Sequence, residues 1–249
     1  MSTQWNFYPC QINNNPASIY VDLALRAQAP LQNYPVLFRM RIELLTPSDA
    51  GLSSQEEFDD LMALEDLVVA AATKNGHMKY VGRGTTNGRR EFFFYAQNDE
   101  LDEAGLEQAM AAFPSYQWDG ELSDDPDWEA YQQFLLPNAL ELEQIKNRNL
   151  CNALAEHGDA LTAVRPIYHW AYFDTNDAAQ AFASHIANLG YQVLDLTAPD
   201  AETSHYCVKL SALGVPSHEN IDTITLPVFT AANEYGGNYD GWETEIIVE

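Results

Sequence analysis

Aromatic and acidic side chains cluster at two places near the end of the chain. The candidates are His169, Trp170 and Tyr172 in one segment, and Tyr239, Asp240, Trp242 and Glu243 in another. Tryptophan and tyrosine rings flanked by carboxylates suit the binding of an arginine-rich segment, through cation–π contacts and charge-assisted hydrogen bonds. The alternative is that the rings build a hydrophobic core and that Asp240 and Gly241 form a tight turn.

Other residue types that could do chemistry lack supporting spacing. His169 and His205 could share a metal ion if both faced one side of a sheet, but no third ligand is evident. Cys207 stands two residues after His205 and is predicted to pack in the core. The sequence also lacks a Gly-x-Ser-x-Gly motif. We therefore predict no catalytic residue, no metal and no cofactor.

Two further segments invite a ligand interpretation and are predicted to be structural. The segment GRGTTNGRR at 82–90 is rich in glycine and arginine, but it lacks the Gly-Lys-Ser/Thr ending of a phosphate-binding loop. Its Asn87-Gly88 pair favours a hairpin tip, with anion binding as the alternative. The acidic run at 124–127 lacks the spacing and the closing glutamate of a calcium loop. It is interpreted as a solvated loop.

The elements around the two aromatic segments predict one small α+β domain. RPIYHWAYF, YQVLDLTA and HYCVKLSAL have the composition of strands. A helix capped by Asn176 or Asp177 ends at Gly190, and a second helix ends at Gly236-Gly237, with Pro227 as an irregularity. WETEIIVE closes the domain as a strand. In a ferredoxin-like βαββαβ sheet the first and last strands are neighbours, so the seven candidates can meet.

The first half repeats this order after an opening hairpin within residues 5–28. The strand PVLFRMRIEL is followed by a helix with Ser54 and Glu57 at capping-box spacing, then by a hairpin, a second helix and YQWDGEL. The predicted fold class is α+β, with two tandem ferredoxin-like domains that have antiparallel sheets and are joined by a helical linker. The predicted boundaries are 1–137, 138–159 and 160–249.

Charge restricts the possible partners. The chain carries 37 acidic against 12 basic residues, a net charge of −25. Such a surface repels nucleic acid and anionic membranes and attracts basic proteins, although acidity also serves solubility. Three widely separated cysteines fit a reducing compartment, and no apolar run approaches the roughly 18 residues of a membrane span. We predict a cytoplasmic protein that binds neither nucleic acid nor membrane.

The stretch from Arg165 to Glu249 resembles the regulator of ribonuclease activity B family. The matching pieces are HWAYF at 169–173, LGYQV at 189–193 and NEYGGNYDGWET at 233–244. The resemblance implies a ferredoxin-like fold and a protein that binds ribonuclease E outside its catalytic centre and inhibits it. Pro227 and the added N-terminal half depart from the family pattern.

Residues 1–137 are similar to an uncharacterised bacterial family, DUF695. The resemblance lies in the opening WNFY, the strand FRMRIEL and the segment DWEAYQQFLLP at 127–137. It implies no known activity.

Three hypotheses follow. The first is a non-catalytic regulatory protein that binds a basic scaffold segment of another protein, such as a ribonuclease E-type enzyme. The second is a small-molecule-binding protein or enzyme with a cleft between its domains. The third is an acidic mimic of nucleic acid.

Overall fold

The computed structural model describes residues 4–200 and 203–248 and divides into two compact units. The first unit is Met1–Glu141 and the second is Leu142–Glu249. The domain boundaries predicted from the sequence, 1–137, 138–159 and 160–249, remain a prediction. A helix at Ala139–Glu156 occupies the predicted linker.

The first unit is a ferredoxin-like domain enlarged by a hairpin. Its elements are β1 (Trp5–Ile12), β2 (Asn15–Asp22), β3 (Val36–Glu43), α1 (Phe58–Thr73), β4 (Met78–Thr86), β5 (Arg89–Ala96), α2 (Glu103–Met110) and β6 (Trp118–Asp124). The strands form one antiparallel sheet in the order β1-β2-β4-β5-β3-β6. The last four strands of that order have the ferredoxin-like arrangement, so the predicted topology is confirmed.

The two faces of this sheet are covered by different parts of the chain. On one face Phe38, Met40 and Phe92 pack with Leu61 and Leu64 of α1 in a hydrophobic cluster. Trp128, Tyr131 and Leu135, which come after the last strand, are fully buried. They lie in and next to a short π-helical turn, Ala130–Leu135, that contacts β2 and β4. The segment DWEAYQQFLLP therefore completes the core of the unit.

The glycine-rich segment is a hairpin tip, as predicted. Asn87 and Gly88 both have positive φ, 51° and 74°, as a type I′ turn requires. Arg83 pairs with Glu65 at 2.6 Å, and Arg89 pairs with Glu43 at 2.9 Å. Because these arginines already have acidic partners within the unit, the alternative of an anion site at this tip has no support.

The second unit repeats the topology without the hairpin. Its elements are α3 (Ala139–Glu156, which begins in the first unit), β7 (Arg165–Phe173), α4 (Asn176–Asn188), β8 (Gln192–Thr197), β9 (Tyr206–Gly214), α5 (Ile221–Glu234) and β10 (Asn238–Glu243). The antiparallel sheet has the order β10-β7-β9-β8, which confirms the ferredoxin-like prediction.

Local details of the second unit differ from the prediction. The N-cap of α4 is Thr175, whose hydroxyl accepts from the Ala178 N–H, and neither Asn176 nor Asp177. Helix α5 continues through Pro227. The last strand ends at Glu243, so WETEIIVE is mostly outside the sheet. Beyond the strand, the Ile247 N–H donates to the Asp159 carboxylate at 3.0 Å.

Helix α3 is part of the core of the second unit from Leu142 onward. Cys151 and Leu154 pack with Ile167, Ile221 and Trp242. A second cluster lies between α4, α5 and the sheet, around Phe173, Phe182, Ile186, Val208 and Leu210. All these side chains lie on one face of the sheet, so the opposite face carries the half-exposed side chains.

Candidate functional site

The two strands that carry the predicted recognition residues are neighbours. In the antiparallel pair of β7 and β10, Trp242 lies opposite His169 and Glu243 lies opposite Tyr168. The predicted adjacency of the two aromatic segments is confirmed.

The seven predicted residues divide between the two faces of the sheet. His169, Tyr239 and Trp242 face the helices and are 0%, 5% and 8% exposed. Trp170 and Tyr172 are half-buried on the opposite face, and Asp240 and Glu243 are exposed. A partner that docks on the folded unit can reach only these last four side chains. We therefore assign the three buried residues to the core and keep the other four as the candidate site.

A bulge in β10 explains why Tyr239 and Trp242 face the same way although they are three residues apart. The register shifts between Tyr239 and Gly241, which leaves Asp240 as the extra residue. Gly241 has φ +118°, a conformation that favours glycine. The bulge thus places the Asp240 carboxylate outside the regular ladder and returns Trp242 to the core.

His169 is a core residue held by one hydrogen bond. Its Nδ1 lies 2.8 Å from the Tyr239 hydroxyl, and its Nε2 has no hydrogen-bond partner among the described residues. Desolvation lowers the pKa of His169 to about 4, because burial disfavours the charged imidazolium. The imidazole is neutral at physiological pH and contributes no charge to the surface.

Acid should destabilise the second unit through His169. Between about pH 6.5 and pH 4, His169 is protonated in the unfolded chain and neutral in the folded unit. The free energy of unfolding therefore falls as the pH falls. The loss should reach about 3 kcal/mol at pH 4 relative to pH 7. Urea unfolding at both pH values measures it, with His169→Gln as the control. If the native chain and the variant have the same pH slope, the His169 contribution is absent.

Trp242 is fixed by a buried polar network that includes α3. The Trp242 Nε1–H donates to Asn147 Oδ1 at 2.8 Å. The Asn147 amide nitrogen donates to Asp222 at 2.8 Å and to the Thr225 hydroxyl at 2.6 Å. A fully satisfied network of this kind holds its members in one arrangement. Sequence reasoning missed Asn147, because its partners are 75 or more positions away in the chain.

The exposed sheet face contains two further residues that sequence reasoning missed, Tyr168 and Lys209. Lys209 lies opposite Trp170 in the β7–β9 pair. Its Nζ is 4.8 Å from the Trp170 ring centroid and 5.2 Å from that of Tyr168. The alternation of side chains along the strand RPIYHWAYF could have identified Tyr168. We call Tyr168, Trp170, Tyr172, Lys209 and Glu243 the aromatic face.

A polar groove of about 590 Å³ continues from Tyr172 at one end of the aromatic face. It is lined by Tyr172, Asp174, Thr203, Ser204, His205, Gly236, Gly237, Asn238 and Asp240. His205 Nε2 lies 3.3 Å from the Asp174 carboxylate. A Cβ at Gly237 would lie 2.2 Å from the Phe173 ring, so this position requires glycine. Four residues of NEYGGNYDGWET therefore line a groove that has two carboxylates, Asp174 and Asp240, among its lining residues.

The described residues give little support to nucleophilic or metal chemistry. Desolvation raises the pKa values of Cys10 and Cys151 to about 11 and also raises that of Cys207, whereas a thiol nucleophile needs a lowered pKa. His169 is bound to Tyr239, and His205 is paired with Asp174. Within residues 4–200 and 203–248, no three histidine, cysteine or acidic side chains are grouped closely enough to hold a metal ion.

Among the described helices, none combines the length and the apolar composition needed to cross a membrane.

Comparisons with known proteins agree with the two-unit division. The family model described as "Family of unknown function (DUF695)" matches residues 3–136, more than half of the chain. The model described as "Regulator of ribonuclease activity B" matches residues 144–244. No curated protein matches the chain.

Among solved structures, the crystal structure of an unknown protein from Galdieria sulphuraria aligns over 84% of this chain and 97% of that chain. The identity is 10% and the TM-score is 0.22, which is too low to support an argument about the fold.

The family matches cover the sheets and the aromatic and acidic segments described above. The chain belongs to the family of unknown function DUF695, and its second unit matches the family of regulators of ribonuclease activity B.

Proposed function

We propose that this chain is a non-catalytic, cytoplasmic regulatory protein whose second unit binds a basic segment of another protein. The partner would be the scaffold segment of a ribonuclease E-type endoribonuclease, and binding would inhibit the enzyme without chemistry by this chain. The match of residues 144–244 to a family of ribonuclease regulators carries this proposal.

The aromatic face and the groove supply a suitable surface. Trp170 and Tyr172 present ring surface, and Asp240, Glu243 and Asp174 place carboxylates around it. Arginine side chains bind such surfaces by stacking on rings and by hydrogen bonding to carboxylates. The second unit as a whole has four Lys and Arg against fifteen Asp and Glu, so long-range attraction also favours a basic partner.

Lys209 modifies the cation–π hypothesis. Its ammonium group already lies near the rings of Tyr168 and Trp170. A basic partner must displace this lysine or approach the rings beside it, and in either case the lysine opposes binding. The aromatic face is therefore partly occupied by a cation of the chain itself.

Charge reversal at Asp240 tests the proposal. The affinity of the chain for a purified ribonuclease E-type enzyme with its scaffold segment is measured by biolayer interferometry at low and high salt. Asp240→Lys and Trp170→Ala should each weaken binding about tenfold. Glu156→Lys makes the same charge change at an exposed position on α3 and should alter affinity less than about twofold. Lys209→Met should tighten binding about threefold, because it frees the rings.

Each result has a defined meaning. Absence of binding at low salt contradicts the ribonuclease partner. Equal losses in Asp240→Lys and Glu156→Lys show that net charge alone acts, which contradicts the assignment of binding to the groove that Asp240 lines. Unchanged binding by Trp170→Ala contradicts the assignment to the aromatic face. Weaker binding by Lys209→Met shows that the partner contacts the lysine with an acidic group.

The other two hypotheses from the sequence, a ligand site between the domains and a mimic of nucleic acid, remain predictions.

A further inference from the structure

The first unit contains a trough that the proposed function does not use. It has a volume of about 650 Å³, within the range of small-molecule sites of about 300–1,000 Å³. The trough lies where the opening hairpin extends the sheet beyond α1. Its floor belongs to the strands β1, β2 and β4, and its wall is formed by α1 residues Met62, Asp66, Val69 and Ala70.

The floor is a continuous aromatic surface. The Trp5 ring lies nearly parallel to two tyrosine rings, with centroids 4.9 Å from Tyr20 and 5.1 Å from Tyr80. Trp5, Tyr20 and Tyr80 are each only half-buried, so ring surface remains open to the trough. The Tyr80 hydroxyl donates to Glu65 at 2.8 Å, which makes the Tyr80 ring richer in electrons. Such rings attract cations to their faces, and tryptophan does so most strongly.

The charges around the floor favour a cationic ligand. Asp22 lies opposite Trp5 in the β1–β2 pair, so its carboxylate is on the same face of the sheet as the indole. Asp66 is exposed on the α1 wall, and Glu65 lines the trough beside it. Glu65 is already paired with Arg83 at 2.6 Å and Arg90 at 3.6 Å. Among the lining residues, the carboxylates of Asp22 and Asp66 are therefore set against one basic side chain, Lys79. The Arg83 guanidinium, which pairs with Glu65, lies 5.0 Å from the Tyr20 ring centroid, so a ligand cation must use the Trp5 side of the floor.

We propose that this trough binds a small organic cation with a flat aromatic body. The body stacks on Trp5 and lies against Met62 and Val69. The ammonium group points toward the Asp22 and Asp66 carboxylates. All the residues that line the trough belong to the first unit.

Two indole probes of opposite charge test the charge preference. Tryptamine is the cationic probe and indole-3-acetate is the anionic one, and each is titrated into the full chain by isothermal calorimetry at low salt. Tryptamine should bind at least about tenfold more tightly than indole-3-acetate. Absence of tryptamine binding, or equal binding of both probes, overturns the proposal of a cation site.

A matched pair of variants locates the site. Ala70 and Ala63 are both exposed on α1, but only Ala70 lines the trough. Ala70→Trp fills the trough without changing its floor and should weaken tryptamine binding at least about tenfold. Ala63→Trp should leave it unchanged. Asp66→Asn should weaken tryptamine binding and not that of indole-3-acetate, with Asp60→Asn as its control. If Ala70→Trp binds tryptamine like the native chain, the cation binds elsewhere and the assignment is wrong.

Discussion

Replacing Asp159 with alanine should lower the free energy of unfolding of the second unit by about 4 kcal/mol. The side chains of Asp159 and Arg165 are 2% and 4% exposed, and Arg165 Nη2 donates directly to Asp159 Oδ2. The same carboxylate accepts from the backbone N–H groups of Leu161 at 2.8 Å and Ile247 at 3.0 Å. The variant leaves a buried guanidinium without its counter-charge and releases the C-terminal residues from the end of α3.

The pKa of Asp159 agrees with this role. Desolvation raises the pKa of Asp159. The backbone N–H groups of Ile247 and Leu161 and the charge of Arg165 lower this pKa by more, so it lies below its ordinary value. The carboxylate is therefore charged at neutral pH, and its stabilisation is lost only as the pH falls through that lowered pKa.

Peptide-resolved hydrogen exchange in urea measures the effect on the second unit separately from the first. Asp174→Ala is the matched control, because this carboxylate is 83% exposed beside His205 and its loss should change stability by less than about 1 kcal/mol. Asp159→Ala in an Arg165→Met background should cost clearly less than in the native chain. Equal costs in both backgrounds contradict a coupled ion pair.

Regular alternation along a strand made part of the site predictable. From Arg165 to Phe173, buried residues of β7 alternate with exposed or half-buried ones, so period two alone separates His169 from Trp170 and Tyr172. The hairpin tip at Asn87 and Gly88 was equally predictable, because both positions require positive φ. In these segments local sequence and local geometry agree.

Other features of the site could not be predicted, because they depend on contacts between distant residues or on a local break in the alternation of a strand. The bulge at Asp240 reverses the alternation of β10, so Trp242 is buried where period two from Tyr239 would expose it. Asn147 is fully buried in a helix of polar composition because Trp242, 95 positions later, donates to it. The position of Lys209 over Trp170 also depends on strand pairing. Pairing of strands and bulges in them are not encoded by residue type alone.

The two units offer recognition surfaces of different chemistry within one acidic chain. The second unit presents rings and carboxylates on an open sheet face, which suits an extended basic segment. The first unit presents rings in a trough bounded by a helix, which suits a compact cation. Ala70→Trp should therefore leave ribonuclease binding intact, and Asp240→Lys should leave tryptamine binding intact. Because each variant is expected to affect only one of the two binding reactions, the failure of one proposal can be distinguished from the failure of the other.

Replacing Trp128 with alanine should cost the first unit about 4 kcal/mol of unfolding free energy. The indole is 0% exposed, stacks on the Tyr95 ring at 4.0 Å between centroids, and donates through Nε1 to the Tyr34 carbonyl at 2.8 Å. Hydrogen exchange of residues 89–96 in urea reports the loss. Trp118→Ala is the control and should cost less, because that ring is only half-buried.

The backbone at Trp128 gives this prediction a second, sharper test. Its φ is +57°, a left-handed conformation that costs a residue with a Cβ about 1 kcal/mol and costs glycine almost nothing. Trp128→Gly should therefore be at least as stable as Trp128→Ala, although glycine normally destabilises relative to alanine by about 0.5–1 kcal/mol. A glycine variant clearly less stable than the alanine variant would show that the indole contacts do not hold the chain in a strained conformation. If the glycine variant is at least as stable as the alanine variant, the buried indole holds the native chain in this left-handed conformation.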